Sequence, residues 1–451
     1  MWYRSFLIDI IFFWIKNFLC NPYHFLLTKL KAKVIVADLD SLELPERISL
    51  VHEWFSPRSV GGSEQVVRAI DQLLRTRGCD IALAALVDGE STRKGNWLSD
   101  RSIQTSFIQQ LPFGINHVQK YLPFLPFAIE QLDFTDVPLV ISSNHLVAKG
   151  ILLAPNQLHI SYIHTPVRYA WDQMNIYLKK SSLRRIGLGP LIRWQLHLLR
   201  QWDQLSATRV DFFLANSRFT ASRIAKYWGR NSEVLHPPVA IERFRFDRER
   251  EEFYLCLCRL VPNKRVDLVV KAFNKLRLPL LVVGDGSEKS HLQKIAGPTV
   301  KILGYQTPKK AEELMERCRA YVYAGIEDFG IAPVEAMAAG APVIAFGEGG
   351  LLDTVRCASS GLASPTGILF PDQNVSSLVQ AVNWFEEKQL WKEFDSESLN
   401  TWSNRFSNES FKVRFEKVLF RLWNQHQQSI AKSKADPASM KELNYGNSIE
   451  I

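Results

Sequence analysis

The sequence predicts an α/β protein built from two Rossmann-like parallel-sheet domains that face each other across a cleft. Three observations carry this. The chain has 451 residues, too many for one ordinary core. A strand, a glycine turn, a helix and a second strand follow one another over residues 47–87, the start of a doubly wound layer. The same alternation begins again after "HPPVAIERFRFDREREE" (236–252), where two prolines and dense charge mark an interdomain connection.

The elements follow in order. "RISLVHEWF" (47–55) is the first core strand, and Gly61-Gly62 makes the turn after it. Ser63 can cap a helix in which Val66, Val67, Ile70, Leu73 and Leu74 share a face, ended by Gly78. "DIALAALV" (80–87), "PLVISS" (138–143), "LHISYIH" (158–164) and "DFFLANS" (211–217) complete the first set of strands. The second set is "FYLCLCRL" (253–260), "PLLVVGDG" (279–286), "VKILGY" (300–305), "AYVYAG" (320–325) and "APVIAF" (341–346), with helices between them. The expected division is an apolar extension over 1–45, an N-terminal Rossmann-like domain over 46–240 and a C-terminal Rossmann-like domain over 241–405. A C-terminal helix over 406–425 and a disordered polar tail over 426–451 follow.

An apolar content of 46% with 22% charged residues suits a folded globular protein. The net charge of +9 favours anionic partners: phosphorylated ligands or an anionic membrane surface. Nucleic acid is not expected, because neither an arginine-rich arm nor Cys/His finger spacing occurs. The 6 cysteines are scattered and read as reduced thiols. "FLIDIIFFWIKNFLC" (6–20) is short for a bilayer span and is interrupted by Asp9 and Lys16. Its aromatics and flanking cations suit a helix lying in a membrane interface; a helix packed on the body, or an upstream start, are the alternatives. The basic, tryptophan-bearing segment 179–209, with Lys179, Lys180, Arg184, Arg185, Arg193, Trp194 and Trp202, could rest on anionic lipid, or could be a solvated helical face. The expected location is cytoplasmic, peripheral on the inner face of the cell membrane.

The most informative stretch is "YAGIEDFGIAPVEAMAAGAPVIAF" (323–346). Glu327 lies on the loop leaving a strand, and Glu335 lies in the first turns of a short helix that Pro333 starts and Gly340 ends. Between them "DFGIA" brings backbone N–H groups to a helix N-terminus, a ready anion site. Two acids then flank a bound phosphate, where carboxylates can accept from sugar hydroxyls. An acid in a first turn is common without any ligand, so the context of the motif matters more than either residue alone.

These residues resemble the paired-glutamate signature of the retaining glycosyltransferases of family 4, which have the GT-B fold. "GGSEQVV", "ANSRFTASRIAKYWG", "VLHPPV", "CRLVPNKRVDLVVKAF" and "VVGDGSE" agree with it over roughly residues 47–425. "ISSNHLVAKGI" and "HISYIHTPVRYAWD" are similar to the branch containing GDP-mannose-dependent mannosyltransferases of bacterial surface-polysaccharide synthesis. The resemblance implies that Arg259 and Lys264 grip the donor diphosphate, Glu327 contacts the hexose and Glu335 the ribose. It implies a cleft role for His164 near the donor sugar, with backbone donors from Phe329, Gly330 and Ile331. Gly61, Gly62, Gly284 and Gly286 would allow close backbone approach to the donor. Arg168, Asp172 and His145 are weaker candidates. The implied substrate is a nucleotide sugar, GDP-mannose first, held by the domain over 241–405, and the acceptor, on the side of the domain over 46–240, is a glycan or lipid-linked oligosaccharide. No cofactor and no metal is expected. A UDP-sugar transferase, a nucleotide-sugar epimerase, a phosphorylase and a non-catalytic membrane-associated partner are the rival readings.

Overall fold

The computed structural model describes residues 43–56, 61–175, 189–361 and 364–435. Residues 1–42 of the apolar N-terminal extension, Lys179, Lys180, Arg184 and Arg185 of the basic segment, and the tail from residue 436 lie outside the described residues.

Residues 45–418 form one compact unit that contains two parallel sheets. The first has seven strands in the order β3-β2-β1-β4-β5-β6-β7. They are β1 Arg47–His52, β2 Asp80–Ala85, β3 Ile103–Thr105, β4 Leu139–Asn144, β5 Leu158–Ile163, β6 Phe212–Ala215 and β7 Glu233–Val234. The second has six strands in the order β10-β9-β8-β11-β12-β13. They are β8 Tyr254–Leu257, β9 Leu280–Val283, β10 Val300–Gly304, β11 Ala320–Tyr323, β12 Val343–Phe346 and β13 Gly367–Phe370. The central strands β1, β4, β5, β11 and β12 are buried almost throughout, which explains why they read as continuous apolar runs. Each sheet has its own core. One gathers Val51, Ile129 and Val140; the other gathers Val269, Val322 and Ile344.

The helices used below are α1 Gly62–Thr76, α2 Gly189–Ser206, α3 Arg218–Trp228, α4 Val266–Leu276, α5 Ile331–Ala338 and α6 Asn408–Ala435. The predicted face of α1 is the buried one: Val66, Val67, Ile70, Leu73 and Leu74 all lie inside. Its start differs from expectation. Extended Gly61 holds the cap position and no side chain caps the helix, so Ser63 does not serve that purpose. Strands β3, β7 and β13 were not expected. β3 and β7 are edge strands of three and two residues, too short to leave a periodic signal.

The stretch expected to form a disordered tail departs most. Residues 426–435 continue α6, a single helix of 28 residues. They are mostly polar, with Ile430 the one large apolar residue, so no apolar periodicity marks them, yet Gln, Lys and Ala are adequate helix formers and extend a helix already nucleated upstream. Residues 419–435 form a second compact unit with Glu43 and Leu44, where Trp423 Nε1 donates to the Glu43 carbonyl at 3.2 Å. No helix of the described residues is long and apolar enough to cross a membrane.

Candidate active site

Both sheets reverse strand order at one place, between β1 and β4 in the first and between β8 and β11 in the second. Loops leaving adjacent strands there diverge to opposite faces and leave a crevice at the carboxyl ends. The two crevices form one cleft of about 660 Å³. The first sheet contributes His52, Trp54, His145, His164 and Asn216, each at or just beyond a strand end. The second contributes Arg259 and Lys264 after β8, and Tyr323 and the stretch from Glu327 to Pro333 around the loop from β11 to α5.

Of the expected residues, the cleft brings together Gly61, Gly62, His164, Arg259, Lys264, Glu327, Phe329, Gly330 and Ile331. Lys264 Nζ donates to Glu327 Oε1 at 2.5 Å, and the Tyr323 hydroxyl donates to the same oxygen. Burial alone would raise the Glu327 pKa, but the charge and hydrogen bond of Lys264, with Tyr323 and Arg168, outweigh it and hold the carboxyl below its ordinary value. Glu327 is therefore an anion at neutral pH. Arg259 is exposed and makes no ion pair with another described residue. Lys264 does not lie in the long helix that follows it. It ends a short 3₁₀ turn, and Arg265 in the left-handed region separates it from α4.

Helix α5 starts at Ile331, with Gly330 at φ +94° as its cap. That conformation suits glycine and turns the chain so that the loop amides open outward. Among the described residues the amides of Phe329 and Gly330 have no backbone partner. They and the first-turn amides of α5 present donors and the positive end of the helix to the cleft. Gly62 faces Ile331 from the other lobe: a Cβ at Gly62 would fall 2.3 Å from Ile331 Cδ1.

Three expected residues stand elsewhere. Glu335 does not line the cleft. Arg243 bridges it, at 2.5 Å, to Glu312, at 2.8 Å. Burial raises the Glu335 pKa against the pull of Arg243. Gly284 and Gly286 also lie off the cleft lining. Gly284 has φ +135°, and a Cβ there would meet the Cys258 carbonyl oxygen at 1.9 Å. At Gly286 a Cβ would meet the Leu260 carbonyl oxygen at 2.3 Å. Close approach is required at both, to the chain after β8.

Asp328 matters more than the sequence suggested. Arg168 pairs with it, and Arg223 Nη1 of α3 reaches its Oδ1 at 2.8 Å. Both arginines belong to the first lobe and Asp328 to the second, so the residue beside Glu327 ties the lobes together. Arg218 adds a second tie, 2.6 Å from Asp353. Arg223 and Asp328 are 105 positions apart, a pairing that no local spacing shows. Tyr323 was also missed, since in a buried strand it looks like any core aromatic.

The comparisons with known proteins fit this geometry. A model described as Glycosyltransferase Family 4 matches residues 60–243, and one described as Glycosyl transferases group 1 matches residues 240–405. A GDP-mannose-dependent alpha-mannosyltransferase of Mycobacterium tuberculosis is 34% identical over 334 residues, 71% of this chain and 84% of the relative. The chain belongs to glycosyltransferase family 4. A second relative is the GDP-mannose-dependent alpha-(1-6)-phosphatidylinositol monomannoside mannosyltransferase of Mycolicibacterium smegmatis, 30% identical over 198 residues. That match covers 37% of this chain and half the length of the relative. Among solved structures, sucrose-phosphate synthase of Thermosynechococcus elongatus superposes with a TM-score of 0.61 over 84% of this chain and 100% of that one, at 16% identity. The Anabaena protein HepE, solved with UDP and glucose, gives a TM-score of 0.56 over 83% of this chain and 99% of that one, also at 16% identity. These likenesses identify the fold as GT-B. The family 4 chain is a glycosyltransferase with mannosyltransferase relatives.

Proposed function

We propose that this glycosyltransferase transfers a hexose, mannose from GDP-mannose, with retention, to a glycan or lipid-linked oligosaccharide in polysaccharide synthesis. The observation that carries the reading is the meeting of Arg259, Lys264 and Glu327 with the open amides of Phe329 and Gly330 in one cleft. Cations and amides suit the diphosphate, while the ionised Glu327 accepts from hexose hydroxyls. Transfer breaks the bond from the sugar's anomeric carbon to the β-phosphate oxygen and forms one to the acceptor oxygen on the same face. The acceptor's proton passes to the departing phosphate, so no separate protein base is required. Negative charge grows on the β-phosphate as this happens, and Arg259 and Lys264 act where it grows. In this reading they neutralise the diphosphate without a metal ion.

Glu335 enters as the ribose contact by exchanging Arg243. That arginine is 39% exposed in its side chain and Glu335 13%, so the arginine can swing to solvent while a ribose diol takes its place on the carboxylate. GDP-mannose is favoured by the names of the relatives at 34% and 30% identity. The UDP-sugar alternative rests only on a neighbour that shares the fold. Calorimetry with GDP, UDP and ADP decides between them: tight binding of GDP alone is expected, and preference for UDP overturns the mannosyl reading.

The membrane surface belongs to the same proposal. On α2, Leu196, Leu199, Asp203 and Ser206 face inward. Leu191, Trp194, Leu198 and Leu205 form an exposed stripe on another face at helical spacing. Trp202 of α2 donates to Glu130, on the segment that carries exposed Phe124 and Phe127. Such a surface suits shallow insertion at the inner face of the cell membrane, where a lipid-linked acceptor would lie. Co-sedimentation with anionic vesicles, with and without residues 1–40, tests this. Undiminished binding by the shortened chain removes the N-terminus from the proposal and leaves α2.

A further inference from the structure

Three imidazoles line the first-lobe side of the cleft: His52, which ends β1, His145 after β4, and His164 after β5. Burial lowers the His52 pKa to about 3 and that of His145 to about 4. Burial, then His145 and His52, push His164 down as well. At neutral pH each ring is uncharged, with one nitrogen a donor and the other an acceptor.

The hydroxyl of Ser143 stands between two of them. Ser143 lies on β4, the strand between β1 and β5, so its side chain reaches both neighbours. Its Oγ is 3.2 Å from His52 Nδ1 and 2.8 Å from His164 Nε2. A hydroxyl has one proton, so it donates to one ring and accepts from the other. The 2.8 Å contact to His164 suits an O–H donor, and the longer 3.2 Å contact to His52 suits an N–H donor. The proton order therefore runs from His52 N–H to Ser143 Oγ, and from Ser143 O–H to His164 Nε2. His164 is left with its own proton on Nδ1. Its backbone is fixed too: the His164 amide donates to the Asn144 carbonyl at 2.9 Å, and its carbonyl accepts from Asn216 Nδ2 at 2.8 Å.

We propose that Ser143 is a positioning residue that sets the tautomer of His164, so that the cleft offers Nδ1–H to a hydroxyl oxygen of the transferred hexose. The proposal rests on the reading of His164 as a donor-sugar contact. It goes further in naming which nitrogen serves and what holds it. Without the Ser143 hydroxyl both tautomers are open to His164, and one of them presents an acceptor where the sugar needs a donor. A wrong tautomer costs catalysis even when every side chain stays in place.

The test uses the full-length enzyme with Ser143→Ala, Ser143→Thr, His164→Ala and the double variant. Long-range 15N–1H spectra of histidine-labelled protein should show His164 as the Nδ1–H form in the wild type and a mixture in Ser143→Ala. With the working donor, kcat should fall about ten-fold in Ser143→Ala with donor KM little changed. Ser143→Thr should restore it, and adding Ser143→Ala to His164→Ala should cost nothing more. An Nε2–H form in the wild type overturns the proposal, as does an unchanged tautomer in Ser143→Ala. So does a full second loss in the double variant. The spectra need no turnover, so failure of the GDP-mannose reading shows in calorimetry and leaves this result separate.

Discussion

Arg259 is the residue whose removal speaks most directly to the chemistry. It lines the cleft with no ion pair to a described residue, so Arg259→Ala deletes a cation without stranding a buried carboxylate. Charge-assisted bonds are worth about 1.5–3 kcal/mol, and GDP affinity by calorimetry should fall by about 10- to 150-fold, with transfer nearly lost and melting unchanged. Lys264→Ala behaves differently, because it also leaves Glu327 without its nearest cation, and its melting temperature should drop as well. The buried histidines give a pH signature. His52, His145 and His159 are lowered to about 3, 4 and 3, chiefly by burial, while the unfolded chain protonates near 6.5. Between those values the unfolded state binds more protons than the folded one. Stability is therefore whole above about pH 6.5 and declines as pH falls toward 3, which melting curves between pH 7 and pH 4 should follow. At this scale the sequence was legible where chemistry is local: Glu327, Arg259 and Lys264 stand out by motif. Arg243 is 92 positions from Glu335 and Ser143 is 91 from His52, and no spacing links such pairs.

Among the elements, the turn after β9 and helix α2 invite the clearest tests. Gly284→Ala places a Cβ on the Cys258 carbonyl in a region of φ that side chains avoid, and should cost about 1–3 kcal/mol in chemical denaturation. Donor affinity should survive in the fraction that folds, which separates a packing role from the ligand role the motif suggested. Helix α2 is fastened by Lys149, whose Nζ lies 2.8 Å from Asp203 and 2.7 Å from Ser206, all fully buried. Asp203 also accepts from Trp171 and Trp228, each at 2.8 Å. Lys149→Ala leaves a buried carboxylate without its cation and should destabilise by about 3–5 kcal/mol, read as a shift in denaturation midpoint. Helices and central strands were legible because their faces are periodic or wholly apolar. The end of α6 was not, because a polar helix has neither signature.

At the scale of the whole molecule, the two-sheet plan was visible in the restart of alternation after residue 252, while the joining of the lobes was not. Asp328 carries that joining. With Arg223 at 5% side-chain exposure and Asp328 at 16%, the pairs are shielded enough for Asp328→Asn to cost about 2 kcal/mol. Small-angle scattering of the variant should show a wider distribution of lobe separations, and an unchanged profile would leave the ties without a mechanical role. Asp328 is bonded in sequence to Glu327. One peptide plane thus carries a clasp on one side and, in the proposed function, a sugar contact on the other. Any shift of that plane when the hexose seats is felt at once by the arginines opposite, and any parting of the jaws tugs at the hexose. On that proposal, occupancy of the pocket and the gape of the molecule are coupled.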